Sequence, residues 1–147
     1  MTASLHETDY FSWSREQATL LKSGRLSEVD VDLLAEEIED MGNEIRASCF
    51  SFITRILEHL LKLQYSTQER YYRHWQAEVV NFRGELDQRL SKSIENQVNL
   101  ATLYQHARKR MGYKMTEKDF AARLPDACPW TLEHVRDEDY WPERETP

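Results

Sequence analysis

Apolar residues recur at helical spacing along most of the chain. From Val31 the series Leu34, Ile38, Met41, Ile45, Cys49, Phe52, Ile56, Leu60 and Leu63 alternates steps of three and four without a slip, the pattern of one continuous amphipathic helix. A helix over about residues 31 to 65 would span roughly 50 Å at 1.5 Å per residue. Gly42 is its weak point, because glycine in a helix interior costs about 1 kcal/mol relative to alanine. The unbroken stripe on both sides offsets that cost. A second apolar row, Ile53, Leu57 and Leu61, joins further along, so the C-terminal half is expected to be covered by other helices and to form the centre of the fold.

Shorter helices surround it. Asp9 is placed to cap a first helix carrying Tyr10, Trp13, Gln17 and Leu20 or Leu21, with Gly24 where a terminating glycine belongs. Arg25 to Val29 reads as a turn. Thr67 can open a third helix with the stripe Tyr72, Trp75, Val79, Phe82, Leu86 and Leu90. Ser93 can cap a fourth that runs from Ile94 to Gly112, and Thr116 with Asp119 predicts a short fifth ending before Pro125. Beyond it, Pro125, Pro129 and Pro142 space out an aromatic tail containing Trp130, Tyr140 and Trp141. No stretch alternates as a half-buried strand does. The expectation is one all-α domain over residues 1–147, built around the long helix, with the tail from 125 to 147 packed on it.

At 147 residues and with 31% charged residues, the chain is of a size that folds without disulfide or metal staples. Its net charge of -7 disfavours a whole-surface nucleic-acid or polybasic membrane binder. The charge is uneven: residues 26 to 45 hold eight acids and no base, residues 46 to 124 fourteen bases against eight acids, and residues 125 to 147 seven acids against two bases. Pairing of these blocks within the fold is the plain expectation. Cys49 and Cys128 are too few and too separated for a disulfide framework, so both are read as reduced thiols. Met1 to Glu7 shows no basic flank followed by a hydrophobic signal core, and apolar runs reach only three residues, as at Leu33 to Ala35. A cytoplasmic location is expected.

Certain blocks carry a resemblance. Asp9-Tyr10-Phe11-Ser12-Trp13 with Gln17 and Leu20-Leu21, Leu34 to Gly42, His59 to Tyr65 with Trp75, and Cys128 to Glu133 with Tyr140-Trp141-Pro142 resemble the bacterial family catalogued as domain of unknown function 29. The likeness runs nearly end to end and departs at Leu63, where that family often carries tryptophan. It implies a compact all-helical domain and no reaction.

The candidate chemistry begins with acids. Asp32, Glu36, Asp40 and Glu44 recur every four residues, one carboxylate row on a helix, with Glu37 and Glu39 beside it. Three like-charged pairs in line cost about 1 kcal/mol in an isolated helix, so matching bases or a basic partner are expected. Glu36 with Glu39 could form half of a magnesium site of the helical pyrophosphatase kind. The second half is missing, since Glu37 with Asp40 is the sole ExxD and lies in the same turns. Arg55 with His59, and Arg70 with His74, share helix faces and could serve phosphate chemistry, but three intervening residues are fewer than helical RNases use. No ExxH, HxxxH or HxxE and no glycine-rich phosphate loop occurs. Arg108, Lys109, Arg110 and Lys114 complement a helix C-terminus, or with Arg70, Arg73, Tyr71, Tyr72 and Trp75 could form a stacking platform for single-stranded RNA.

No catalytic set, metal site or cofactor is therefore expected. The favoured function is a non-enzymatic macromolecular binding or regulatory module; the alternative is a small hydrolase acting on RNA or nucleotides. Candidate binding residues are Asp32, Glu36, Glu37, Asp40, Glu44, His59, Lys62 and Trp130. The expected partner is a protein, self-association included; nucleic acid is less favoured and a membrane is not expected.

Overall fold

The computed structural model describes residues 3–145; Met1, Thr2, Thr146 and Pro147 lie outside the described residues. Among these are eight α-helices and no strand: α1 (Leu5–Thr8), α2 (Tyr10–Lys22), α3 (Val31–Tyr65), α4 (Tyr72–Arg89), α5 (Lys92–Glu95), α6 (Leu100–Lys114), α7 (Phe120–Arg123) and α8 (Leu132–Arg136). Short 3-10 turns at Leu26–Glu28 and Glu69–Tyr71 precede α3 and α4. The chain gathers into two compact units, residues 1–44 and 45–147. The all-α fold and the long helix are as the apolar pattern predicts, and α3 passes Gly42 without a break.

In the first unit, the Asp9 carboxylate opens α2 by accepting the Ser12 amide at 3.0 Å, which satisfies a backbone donor of the first turn. Gly24 ends the segment at φ 73°, a left-handed conformation that a Cβ would penalise. Trp13, Gln17 and Leu20 are the buried residues of α2. Asp30 pins two of them: it accepts Trp13 Nε1 at 2.7 Å, and its own amide donates to Gln17 Oε1 at 2.8 Å. α1 was not legible in the spacing. Its Ser4 and Glu7 form a reciprocal capping box over a single turn, too short to show a period.

In the second unit the apolar rows of α3 close into the core. Ile53, Ile56, Leu57, Leu60 and Leu61 have no exposure at all, and each such side chain stabilises the fold by about 1.5–3 kcal/mol through burial. Trp75, Val79 and Leu86 of α4, and Tyr104, Ala107 and Met111 of α6, join the cluster, with Phe120, Leu124, Trp130 and Val135 from the chain beyond.

Three boundaries differ from the sequence expectation. Thr116 does not open the short helix before Pro125; α7 starts at Phe120, directly after Asp119, which sits at φ 63° without a side-chain cap. Thr67 does not cap α4; its amide donates to Glu117 Oε1 at 2.8 Å and its hydroxyl to the same carboxylate, while the Ser66 hydroxyl donates to Glu117 Oε2 at 2.8 Å. That carboxylate fastens the α3–α4 connection, so the chain enters α4 through a 3-10 turn. Burial works to raise the Glu117 carboxyl, but these hydrogen bonds outweigh it and hold it below the ordinary range. The expected fourth helix is two. Ser91 caps α5 and Asn99 caps α6 by accepting the Thr102 amide at 3.1 Å, as asparagine favours a cap over a helix interior.

The tail packs on its own unit. Trp130 is 5% exposed and meets Tyr104 edge-on at 6.5 Å. Thr131 caps α8, a turn the sequence reading passed over. Arg83, buried in α4, donates Nε to the Val135 carbonyl at 2.9 Å and a terminal nitrogen to the His134 carbonyl at 3.0 Å, and lies 5.0 Å from the centre of the Trp141 ring. A cation on the last carbonyls of a helix is favourable. Further out, the Glu145 amide donates to the Gln64 carbonyl at 2.8 Å.

Candidate functional site

Asp32, Glu36, Asp40 and Glu44 fall on α3 as an exposed row. No ion pair or hydrogen bond among the described side chains reaches any of them, nor Glu39 beside them. Glu37 differs. It accepts the Tyr10 hydroxyl at 2.7 Å and faces His6 Nε2 at 2.8 Å. The Tyr10 hydrogen bond, then that of His6, hold its carboxyl below the ordinary range. Glu37 therefore secures α1 and α2 to α3, while Asp32, Glu36, Glu39, Asp40 and Glu44 keep their charge facing solvent.

The apolar stripe beside this row is uncovered too. Ile38 is 61% and Met41 63% exposed, whereas Cys49 onward on the same stripe closes into the core. Leu21, Leu26, Val29, Val31, Leu34, Ala35 and Ile38 line an open groove of about 380 Å³. All seven belong to the first unit.

The other candidate cluster lies in the second unit. His59 is buried, with Nδ1 2.8 Å from the Arg55 carbonyl and Nε2 against Glu78 Oε2. Lys62 Nζ sits 3.4 Å from the same Nε2 and 5.1 Å above the Trp75 ring. The other Glu78 oxygen is 3.2 Å from His74 Nε2. Burial first, then the Lys62 ammonium, press His59 below the ordinary histidine range against the pull of Glu78. Burial lowers Lys62 as well. At Glu78 burial acts upward, but the His59 hydrogen bond and the nearby His59, His74 and Lys62 charges outweigh it and leave the carboxyl low.

The balance at His59 is open to a direct check, because an acid raises and a cation lowers the proton affinity of a neighbouring imidazole. In a ring NMR titration, Glu78→Gln should move the His59 midpoint further down and Lys62→Met should move it up. Two unmoved midpoints would uncouple the imidazole from both neighbours.

The Arg–His pairs do not assemble as phosphate machinery. Arg55 offers His59 its carbonyl, while its guanidinium lies 5.9 Å from Phe52 and 5.8 Å from Phe82 ring centres. Arg70 stacks on Tyr71 at 4.7 Å, and His74 turns to Glu78. The stacking platform is likewise taken apart, since Trp75 is buried beneath Lys62 and Tyr72 lies under Arg144 at 4.7 Å. Glu58, also buried, meets Arg110 Nε at 3.2 Å, which engages one of the basic residues of α6 internally. Trp130 belongs to the core. Among the described residues no group of three or more His, Cys, Asp or Glu is arranged to hold a metal ion, and no helix is long and apolar enough to cross a membrane.

Sequence reasoning missed Asp30, Arg83 and Glu117 as fastening groups. A signal existed only for Asp30: Gln17 on an apolar face beside Trp13 must find a polar partner when buried. Compared with known proteins, residues 5–141 match the family described as Domain of unknown function DUF29. No curated protein and no solved structure matches.

Proposed function

The chain belongs to the DUF29 family, and we propose that it is a non-enzymatic binding or regulatory module that takes a protein partner on the apolar face of its first unit. The observation that carries this is a mismatch within residues 1–44. Among the described residues they supply eight of the twelve exposed large hydrophobics but only Trp13 and Leu20 of the buried core. Contiguous exposed apolar surface on a soluble chain marks an interaction site. The hydrolase alternative has less support, because both ring nitrogens of His59 are already engaged and a general base needs one free for the reacting proton. A cytoplasmic setting fits the same reading, and both cysteines are free thiols.

The test is native purification of the tagged chain beside an Ile38→Asp variant. A protein companion in fixed stoichiometry, lost from the variant while its circular dichroism is unchanged, is the expected result. A chain that purifies alone and hydrolyses RNA or nucleotides, with turnover lost in His59→Gln, would replace the module with the hydrolase.

A further inference from the structure

We propose that the occupant of the first unit's groove is a basic amphipathic helix supplied by another protein, its apolar ridge on Leu21, Leu26, Val31, Leu34, Ala35 and Ile38 and its flanking Lys or Arg residues on the acids of α3. This rests on the binding-module reading above and names the partner chemistry of that same face.

Shape comes first. At 100° per residue, Val31, Ala35, Ile38 and Gly42 lie along one line of α3, and Asp32, Glu36 and Glu39 lie on the neighbouring line. From Val31 to Gly42 the line runs about 16 Å at 1.5 Å per residue, three turns of a facing helix. Such a helix meets its groove through anchors at i, i+3, i+4 and i+7. Two residues along the line are small. Gly42 is not required by the chain's own packing, since a Cβ added there would meet nothing within 4 Å. Glycine nonetheless stands there at a cost of about 1 kcal/mol relative to alanine in a helix interior. Close approach of a foreign helix gives that cost a reason.

Charge selects the occupant. Asp32, Glu36 and Glu39, the line beside the groove, are exposed, with no ion pair from the described side chains. Like charge juxtaposed across an interface is strongly unfavourable, so this rim repels a phosphate backbone, an anionic membrane and a second copy of the same face. The basic stretch of a second copy, at the end of α6, does not fit either. Its apolar residues Tyr104, Ala107 and Met111 are buried in their own core, and the exposed Tyr113 is a single side chain and makes no ridge to dock. A separate helix with a Leu-type ridge between Lys or Arg rows fits both features.

The test uses two designed 18-residue helical peptides with the same leucine ridge, one flanked by lysine and one by glutamate, and fluorescence anisotropy on the intact chain. The lysine-flanked peptide should bind at least tenfold more tightly. Asp32→Lys, Glu36→Lys and Glu39→Lys together should invert the preference. Ile38→Asp should abolish binding, although it adds an acid and simple charge attraction would strengthen it. Equal affinities, no binding of either peptide, or stronger binding to Ile38→Asp would each overturn the proposal. So would a concentration-dependent dimer in sedimentation that Ile38→Asp dissolves, which makes a second copy the occupant. If the peptides fail while the native companion is still lost from Ile38→Asp, the module stands and only the basic-helix assignment falls; loss of both results removes both.

Discussion

Deleting the chain from residue 126 onward should abolish cooperative folding of the second unit and should not simply free a surface. Trp130 and Val135 are buried in its core, and Trp141 lies against the Arg83 guanidinium. A buried indole of 150–250 Å² contributes about 4–6 kcal/mol at about 25 cal/mol per Å², an upper figure because the unfolded chain is not fully extended. The deletion also strips Arg83 of its hydrogen bonds to the His134 and Val135 carbonyls, at a further cost of about 1.5–3 kcal/mol for bonds from a charged donor. Set against a total stability of about 5–15 kcal/mol, the loss is large enough to leave a molten chain. Thermal melting followed by circular dichroism, with sedimentation alongside, checks this. A truncated chain that keeps a sharp transition near the intact melting temperature would show that the tail does not hold the unit together.

Alanine substitutions along one stripe of α3 should give opposite results. Leu60→Ala and Ile56→Ala remove fully buried side chains and should each cost about 2–5 kcal/mol, the transfer loss plus the cavity left behind. Ile38→Ala, on the same stripe about six turns before Leu60 at 3.6 residues per turn but 61% exposed, should change stability by less than about 0.5 kcal/mol. Urea denaturation of the three variants measures both expectations. A loss under about 1 kcal/mol for both core variants, or a comparable loss for Ile38→Ala, would contradict the division of this helix into a covered and an uncovered half.

That division explains how much was legible beforehand. The three-four spacing from Leu34 to Leu63 correctly located a helix whose observed bounds are Val31–Tyr65, because spacing reports which residues share a face. It is silent on whether a face is covered. Ile38 and Leu60 are equivalent positions of the same pattern, and only packing against other elements separates them. The acidic row was legible as a row for the same reason. That Glu37 alone would be taken up by Tyr10 and His6 was not, since those partners are 27 and 31 residues away in sequence.

The sequence by itself determined the local elements: helix type and period, the Asp9 cap, the Gly24 stop, and the concentration of eight acids in residues 26–45. These depend on interactions within a few residues, which local residue types set. The tertiary structure decided what no local rule reaches. It buried His59 between Glu78 and Lys62, turned Trp130 into core, bound the α3–α4 connection to Glu117, and left the groove from Leu21 to Ile38 open. His59 with Glu78, and Ser66 with Glu117, are pairs 19 and 51 residues apart along the chain, and the open groove depends on which elements pack against a face. Their placement follows from how whole elements minimise exposed apolar surface while pairing buried polar groups.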